Sequence, residues 1–276
     1  MRISTVVTAA AVSLSAATAP ALTVEGVGEI MAVTDSASVS GQVGERTLAV
    51  GSKVFIGDLV ATDAVGEAQL LFSDGTRMVV GSNSSLMIDE FLFGGNATKN
   101  QFAVSTLGGT FRFISGDSGD RGYSIRTPSA RISVRGTAFD FTVTPEGATK
   151  LVLLEGEATL CSESDEDGQG GDCATVATPC ALLHTESGQD VEEIEDRNER
   201  VQETREHFPY VTSDSSLLED FRIVDHGCTD GGLAEFALDR SAIRVPVFAG
   251  AAAIILCIVL CLPDGGSTID TNNASN

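Results

Sequence analysis

Residues 116–119, GDSG, have the composition of the nucleophilic serine motif of serine proteases. That chemistry needs a histidine to deprotonate the serine, and in the chymotrypsin order the histidine precedes the serine. All three histidines of this chain, His184, His207 and His226, follow the motif. Residue 120 is an aspartate, so the G-x-S-x-G elbow is not formed either. The motif therefore predicts a polar turn between strands, and we expect the chain not to be an enzyme.

Metal-binding and nucleotide-binding patterns are incomplete. Asp165, Asp167 and Gly170 resemble the start of an EF-hand loop, but Val176 stands where the closing glutamate would be. The histidines are too widely separated to show metal-ligand spacing, and no glycine loop is followed by Lys-Ser or Lys-Thr. The sequence therefore predicts neither a metal site nor a cofactor.

Four cysteines are candidates for covalent bonds: Cys161, Cys173, Cys180 and Cys228. Their even number favours two disulfides if the chain is exported, as its first residues predict below, and each would contribute about 2–4 kcal/mol to stability. Three pairings are possible, and the sequence does not choose among them. A zinc site is the alternative, but the spacings contain no CxxC pair.

The composition is strongly acidic. With 17 Lys and Arg against 39 Asp and Glu, the formal net charge is −22. A nucleic-acid partner would demand a basic surface, so nucleic acid is excluded as a partner class. The same charge disfavours an anionic membrane surface as the main partner.

Two apolar segments indicate targeting. Residues 1–21 combine an arginine, an apolar stretch and a small-residue cleavage site, as a signal peptide does. Residues 245–262 are eighteen residues without a charge, enough for a transmembrane helix, and residues 263–276 form a polar tail. Arginines before residue 245 would place the preceding domain in the cytoplasm, whereas the signal would export it. We favour the export signal and predict a periplasmic protein anchored in the inner membrane.

Short apolar runs separated by turn residues predict an all-β domain with a sandwich, barrel or β-solenoid architecture. After a lead segment, residues 22–47, the domain spans residues 48–190. Ser73-Asp74-Gly75 between two apolar runs predicts a hairpin. Residues 191–240 are predicted to form an acidic helix and a loosely structured spacer, with the helix over Asp190–His207.

The stretch 125–143, IRTPSARISVRGTAFDFTV, changes the parity of its apolar residues midway. Ile132 and Val134 share one parity, and Phe139 and Phe141 share the other. Strand side chains alternate faces with a period of two, so this change requires an extra residue or a corner. Gly136 tolerates the backbone angles of a bulge, and we predict one there.

The chain resembles the FecR domain family through several motifs in the family's order: VFIGDLVATD, AQLLFSDGT, IRTPSA, VRGTAF and LVLLEGEA. The resemblance covers roughly residues 48–190 and implies a β-rich, partly solenoid-like periplasmic domain that binds other proteins. It also makes six residues signature positions and candidates for binding: Arg126, Thr127, Pro128, Arg135, Gly136 and Thr137. Internal pairing of Arg126 and Arg135 with carboxylates such as Asp140 or Asp89 is the favoured role of the two arginines, and binding of a partner's acid is the alternative.

These observations predict a non-catalytic envelope protein that senses or relays a signal by binding other envelope proteins, with an outer-membrane receptor among the expected partners. A structural or surface-assembly scaffold presenting an acidic β domain is the alternative. The sequence leaves open the identity of the partner, the oligomeric state and any direct control of a sigma factor.

Overall fold

The computed structural model describes residues 25–34, 36–42, 44–92, 101–116, 122–163, 171–223 and 227–229. The predicted signal peptide, the apolar segment 245–262, the polar tail 263–276 and Ser118 lie outside these residues. Across the described ranges, no helix is long and apolar enough to cross a membrane.

The described residues confirm the all-β prediction, because strands dominate and the helices are few and short. The strands are β1 (Gly28–Thr34), β2 (Ala37–Gly41), β3 (Gly44–Thr47), β4 (Lys53–Val54), β5 (Leu59–Thr62), β6 (Glu67–Phe72), β7 (Arg77–Val80), β8 (Ser85–Leu92), β9 (Gln101–Ile114), β10 (Gly122–Arg126), β11 (Ala130–Val143), β12 (Thr149–Ser162), β13 (Cys173–Val176), β14 (Leu182–Thr185) and β15 (Glu192–Glu193). The helices are α1 (Arg197–His207), α2 (Pro209–Thr212) and a 3-10 helix (Glu219–Phe221).

The paired strands can be followed in two orders of neighbours, and we call the two resulting parts of the sheet layer 1 and layer 2. Layer 1 has the order β4-β1-β6-β7-β9-β11-β12-β14-β15. Layer 2 has the order β3-β2-β5-β8-β9-β10-β11-β12-β13. One hydrophobic core joins residues of both layers, such as Phe113 and Phe139 from layer 1 and Ile125 and Ile132 from layer 2. The described strands therefore form one continuous sheet whose two layers share a single hydrophobic core.

The three longest strands, β9, β11 and β12, belong to both layers and bend where they pass between them. Each has a glycine with positive φ near its middle: Gly109 at +112°, Gly136 at +59° and Gly156 at +83°. The predicted bulge at Gly136 is confirmed, because the register with β12 shifts between Arg135 and Ala138. A Cβ on Gly156 would lie 2.2 Å from the carbonyl oxygen of Gly136, so the bends of β11 and β12 touch each other.

The predicted hairpin at Ser73-Asp74-Gly75 is also present, between β6 and β7. Gly75 has φ +84°, which the Asp-Gly turn requires. Asp74 is buried, and its carboxylate accepts a hydrogen bond from the backbone N–H of Thr76 at 2.9 Å. Local turn chemistry therefore sets this part of the register.

The lead segment and the helix differ from the predictions. Residues 22–47 contribute β1, β2 and β3 to the two layers. The helix begins at Arg197 and not at Asp190, because Asp196 caps it by accepting a hydrogen bond from the N–H of Glu199 at 2.9 Å. Val191 and Ile194 are buried, but they precede the helix. Their three-residue spacing therefore did not indicate a helical turn.

The prediction of a loose spacer is wrong for residues 208–223, which we call the strap. Phe208, Tyr210, Leu217 and Phe221 are buried in two small clusters on the outer face of layer 1. Their spacing fits neither helix nor strand periodicity, so the sequence alone shows no regular element here. The outer face of layer 1 provides the apolar surface that orders them.

Candidate binding surface

The outer face of layer 2 is polar and exposed around β10 and β11. Arg131, Ser133 and Arg135 are alternate residues of β11 and point away from the core, since Ile132 and Val134 between them are buried. Arg126 of β10 is exposed on the same face. We call this surface, with its neighbours Ser124 and Thr159, the arginine face.

Arg126 and Arg131 lie directly opposite each other in the antiparallel pair of β10 and β11. Like charges in this arrangement destabilise a sheet, typically by a few tenths of a kcal/mol to about 1 kcal/mol. Neither guanidinium forms an ion pair with any residue that the structure describes.

The expected internal pairing of the signature arginines with Asp140 is wrong. Asp140 is bound by Arg112, which reaches it from β9 within layer 1. Asp89, the other expected partner, accepts a hydrogen bond from the hydroxyl of Ser105. Arg112 takes this role because it occupies the register position opposite Asp140 on the neighbouring strand.

The signature threonines hold the backbone that carries the arginines. Thr127 is buried, and its Oγ1 accepts from the N–H of Ala130 at 2.9 Å and lies 2.6 Å from Oγ1 of Thr149. These contacts close the turn between β10 and β11, where Pro128 is exposed. The turn therefore determines the opposed register of Arg126 and Arg131.

Thr137 holds the bulge beside Arg135 and Gly136. Its Oγ1 donates to the carbonyl of Glu157 at 2.7 Å and accepts from the N–H of Arg135 at 3.2 Å. Its backbone N–H donates to the hydroxyl of Ser115 at 2.9 Å. Thr127 and Thr137 are thus architectural, while the arginines face solvent.

The four candidate cysteines form two disulfides, which settles the pairing that the sequence left open. Cys161 is bonded to Cys173, and Cys180 is bonded to Cys228. The first disulfide joins β12 to the edge strand β13, and Cys161 lies opposite Arg131 in the register. It therefore closes the end of the arginine face, whereas the second disulfide attaches the chain beyond the strap to layer 1.

A second polar site, absent from the sequence predictions, lies beneath the strap. Arg112 and Asp140 are almost fully buried and form two hydrogen bonds, Nε to Oδ1 at 2.7 Å and Nη2 to Oδ2 at 2.9 Å. Burial raises the pKa of Asp140, and the Arg112 charge opposes that rise. A sequence signal existed: runs such as 151–154 are apolar at both parities, which is typical of a sheet covered on both faces.

The histidines do not form a catalytic or metal-binding group within the described part of the chain. His207 Nε2 lies 2.8 Å from Nζ of Lys150, and His184 Nε2 lies 3.9 Å from a carboxylate oxygen of Glu192. Among the described residues, no three His, Cys, Asp or Glu side chains are grouped so that they could hold a metal ion.

Comparison with known proteins identifies one family. The model of the family described as FecR protein matches residues 58–159. None of the curated proteins matches the chain.

Solved structures are more distant. A candidate anti-sigma factor from Parabacteroides distasonis ATCC 8503, solved at 1.65 Å and again at 2.50 Å resolution, is 12% identical with a TM-score of 0.39. The match covers 49% of this chain and 58% of that protein, so this chain spans little more than half of its length. A cell surface anchoring domain is 34% identical over 22% of this chain and 82% of its own, with a TM-score of 0.21.

Proposed function

The chain carries a FecR domain at residues 58–159, and from this premise we propose that it is a regulatory protein of the cell envelope that binds another protein through the arginine face. The observation that carries the proposal is that Arg126 and Arg131 lie opposite each other, are exposed, and form no ion pair within the described part of the chain. The chain has a net charge of −22, so two exposed guanidiniums side by side form a local positive site on an acidic protein. A partner segment with clustered carboxylates is complementary to it.

The geometry of β10 and β11 suits such a partner. The two guanidiniums stand on neighbouring strands of one sheet, so the backbone that carries them needs no further ordering when both bind one acidic segment. The surrounding side chains, Ser124, Ser133 and Thr159, are short and offer hydroxyl groups to a docked chain. The destabilisation of the sheet by opposed arginines is then offset in the complex.

The proposal also includes location: the chain is exported to the periplasm and anchored in the inner membrane through residues 245–262. Two disulfides support an oxidising compartment, where such bonds persist. In this arrangement the FecR domain senses the state of an envelope partner, among which an outer-membrane receptor is the expected class.

A photo-crosslinking amino acid at Ser133, in cells that express the full chain, tests the proposal. We expect a crosslink to one defined envelope protein, and we expect Arg126→Ala/Arg131→Ala to reduce its yield about tenfold or more. Arg197→Ala is the matched control, because Arg197 is exposed on α1, away from this face. A crosslink that persists in the double variant would refute the arginine face as the binding surface.

The same experiment separates signalling from scaffolding. A crosslink that forms only when cells are starved of iron favours the regulatory role. The structural scaffold is favoured if the crosslink forms in all growth conditions and the abundance of the chain at the surface is constant. A probe at Gln202 on α1 reports non-specific contacts, since Gln202 is exposed and α1 contacts Lys150 of β12 and not the arginine face.

A further inference from the structure

The strap covers a row of side chains that crosses layer 1. Gln69 of β6, Val79 of β7, Arg112 of β9 and Asp140 of β11 are register neighbours in turn. All four are almost completely buried. Three of the four are polar, although the strap covers them. The outer face of layer 1 is therefore partly polar, whereas the main core is hydrophobic.

The sheet binds the strap mainly through the strap's backbone. The Gln69 carboxamide donates to the carbonyl of Ser216 at 3.1 Å and accepts from the N–H of Leu218 at 2.9 Å. Arg77 donates to the carbonyl of Asp220 at 2.9 Å. These bonds do not depend on the side chains of the strap, and any chain of the same conformation could form them.

Two apolar anchors supply the side-chain part of the contact. Leu217 and Phe221 are buried in one cluster with Val79 and Tyr210. The anchors are four residues apart, and the carbonyls that Gln69 and Arg77 recognise lie beside them. The site therefore recognises two apolar side chains at a fixed spacing together with a particular backbone path.

Some hydrogen bonds of the sheet's polar groups are made within the sheet, although Gln69, Arg77 and Arg112 each also bond to a strap carbonyl. Arg112 and Asp140 both belong to layer 1, so their two hydrogen bonds do not require the strap. Gln69 also donates to Glu67 at 2.8 Å within β6. Apolar residues would stabilise a face that is always covered. Polar groups that bond to one another suit a face that is exposed to water part of the time.

From these contacts we propose that the outer face of β6, β7, β9 and β11 is a binding site for a short peptide segment of a partner protein, carrying two apolar side chains in the Leu217 and Phe221 positions, and that the strap occupies this site in cis. The inference goes beyond the proposed function and does not depend on the arginine face. Because the strap is attached to the same chain, its effective concentration is in the millimolar range, and a partner segment must compete with it. The Cys180–Cys228 disulfide keeps the displaced strap close to layer 1.

Native-state hydrogen exchange on the full chain is the first test. We expect the amides of Leu217, Leu218 and Phe221 to exchange through a local opening, about 100-fold faster than the buried strand amides of Phe139 and Phe141. Exchange of strap and strand amides at one common rate would overturn the proposal, because the strap would then be part of the global fold.

Binding of a synthetic peptide is the second test. The probe is the fluorescently labelled segment 213–223, SDSSLLEDFRI, added to the full chain and to its Phe221→Ala variant. We expect about tenfold tighter binding to the variant, since its own strap competes less well. A probe with serine in place of Leu217 and Phe221 is the control and should bind neither protein.

Two further variants make the outcome decisive. If Phe221→Ala does not fold, Leu217→Ala loosens the same strap and replaces it. A folded strap variant that fails to bind the probe, or binds the control peptide equally, overturns the proposal. Arg126→Ala/Arg131→Ala should leave peptide binding unchanged, so failure here and failure of the arginine face are separate results.

Discussion

Arg112 and Asp140 face each other across β9 and β11 and are joined by two hydrogen bonds of 2.7 and 2.9 Å beneath the strap. Their side chains are only 2% and 0% exposed. The Arg112 guanidinium carbon also lies 5.8 Å from the ring centroid of Tyr210. The pair therefore lies where the polar sheet face and the strap meet.

Removing one partner should cost more than removing both. Asp140→Asn leaves the Arg112 charge buried without its counter-charge, and we expect a loss of about 3–5 kcal/mol in the free energy of unfolding. Arg112→Met/Asp140→Leu removes the charges together and should cost far less. Urea denaturation followed by circular dichroism measures both. A single variant as stable as the double variant would show that the pair carries little coupling.

Gly136 and Gly156 provide a matched test of the bends between the layers. Both have positive φ, so alanine costs about 1–2 kcal/mol at either position. A Cβ at Gly136 meets nothing within 4 Å, whereas a Cβ at Gly156 would lie 2.2 Å from a backbone oxygen. We expect Gly156→Ala to lose roughly a further 1–3 kcal/mol through overpacking. Equal urea midpoints for the two variants would argue against close contact of β11 and β12.

The two disulfides should differ in their contribution to stability. Cys180 and Cys228 are separated by 48 residues, and Cys161 and Cys173 by 12. Closing the longer loop removes more entropy from the unfolded chain, which amounts to about 4 kcal/mol against about 3 kcal/mol for the shorter one. Thermal and urea unfolding of the two paired serine variants measures the difference. The reverse order of stabilities would contradict this account.

The buried Tyr210 should make the stability of the fold depend on pH in the alkaline range. Burial is the largest cause that raises its pKa, and the charge of Glu67 and a hydrogen bond to it raise it further. The unfolded phenol titrates near pH 10, below the folded value. The stabilising contribution of Tyr210 is therefore complete below about pH 10 and is lost as the pH rises toward the folded pKa.

Absorbance at 295 nm in a Tyr123→Phe variant isolates Tyr210, because the chain has two tyrosines. We expect phenolate to form only together with loss of the circular dichroism of the sheet. Reversible ionisation near pH 10 with the sheet intact would show that the strap does not bury Tyr210.

Local chemistry made much of the β architecture predictable. Asp74-Gly75 determined the hairpin of β6 and β7, and the parity change at Gly136 determined the bulge of β11. Both depend on the backbone preferences of a few adjacent residues, which the chain carries wherever it folds. The family motifs likewise lie in short stretches, and the FecR family model matches residues 58–159, within the span that the motifs predicted.

The sequence by itself determined the all-β class, the turn at Asp74-Gly75, the bulge at Gly136, the acidic charge and the even set of four cysteines before residue 245. Only the tertiary structure decided which cysteines pair, that Arg112 and not Arg126 or Arg135 binds Asp140, and that the strap covers layer 1. The physical reason is distance along the chain. Gln69 and Ser216 are 147 residues apart, yet they form one hydrogen bond. A period of two shows that a strand has two faces, but the partner of each face is determined by how the layers fold over each other.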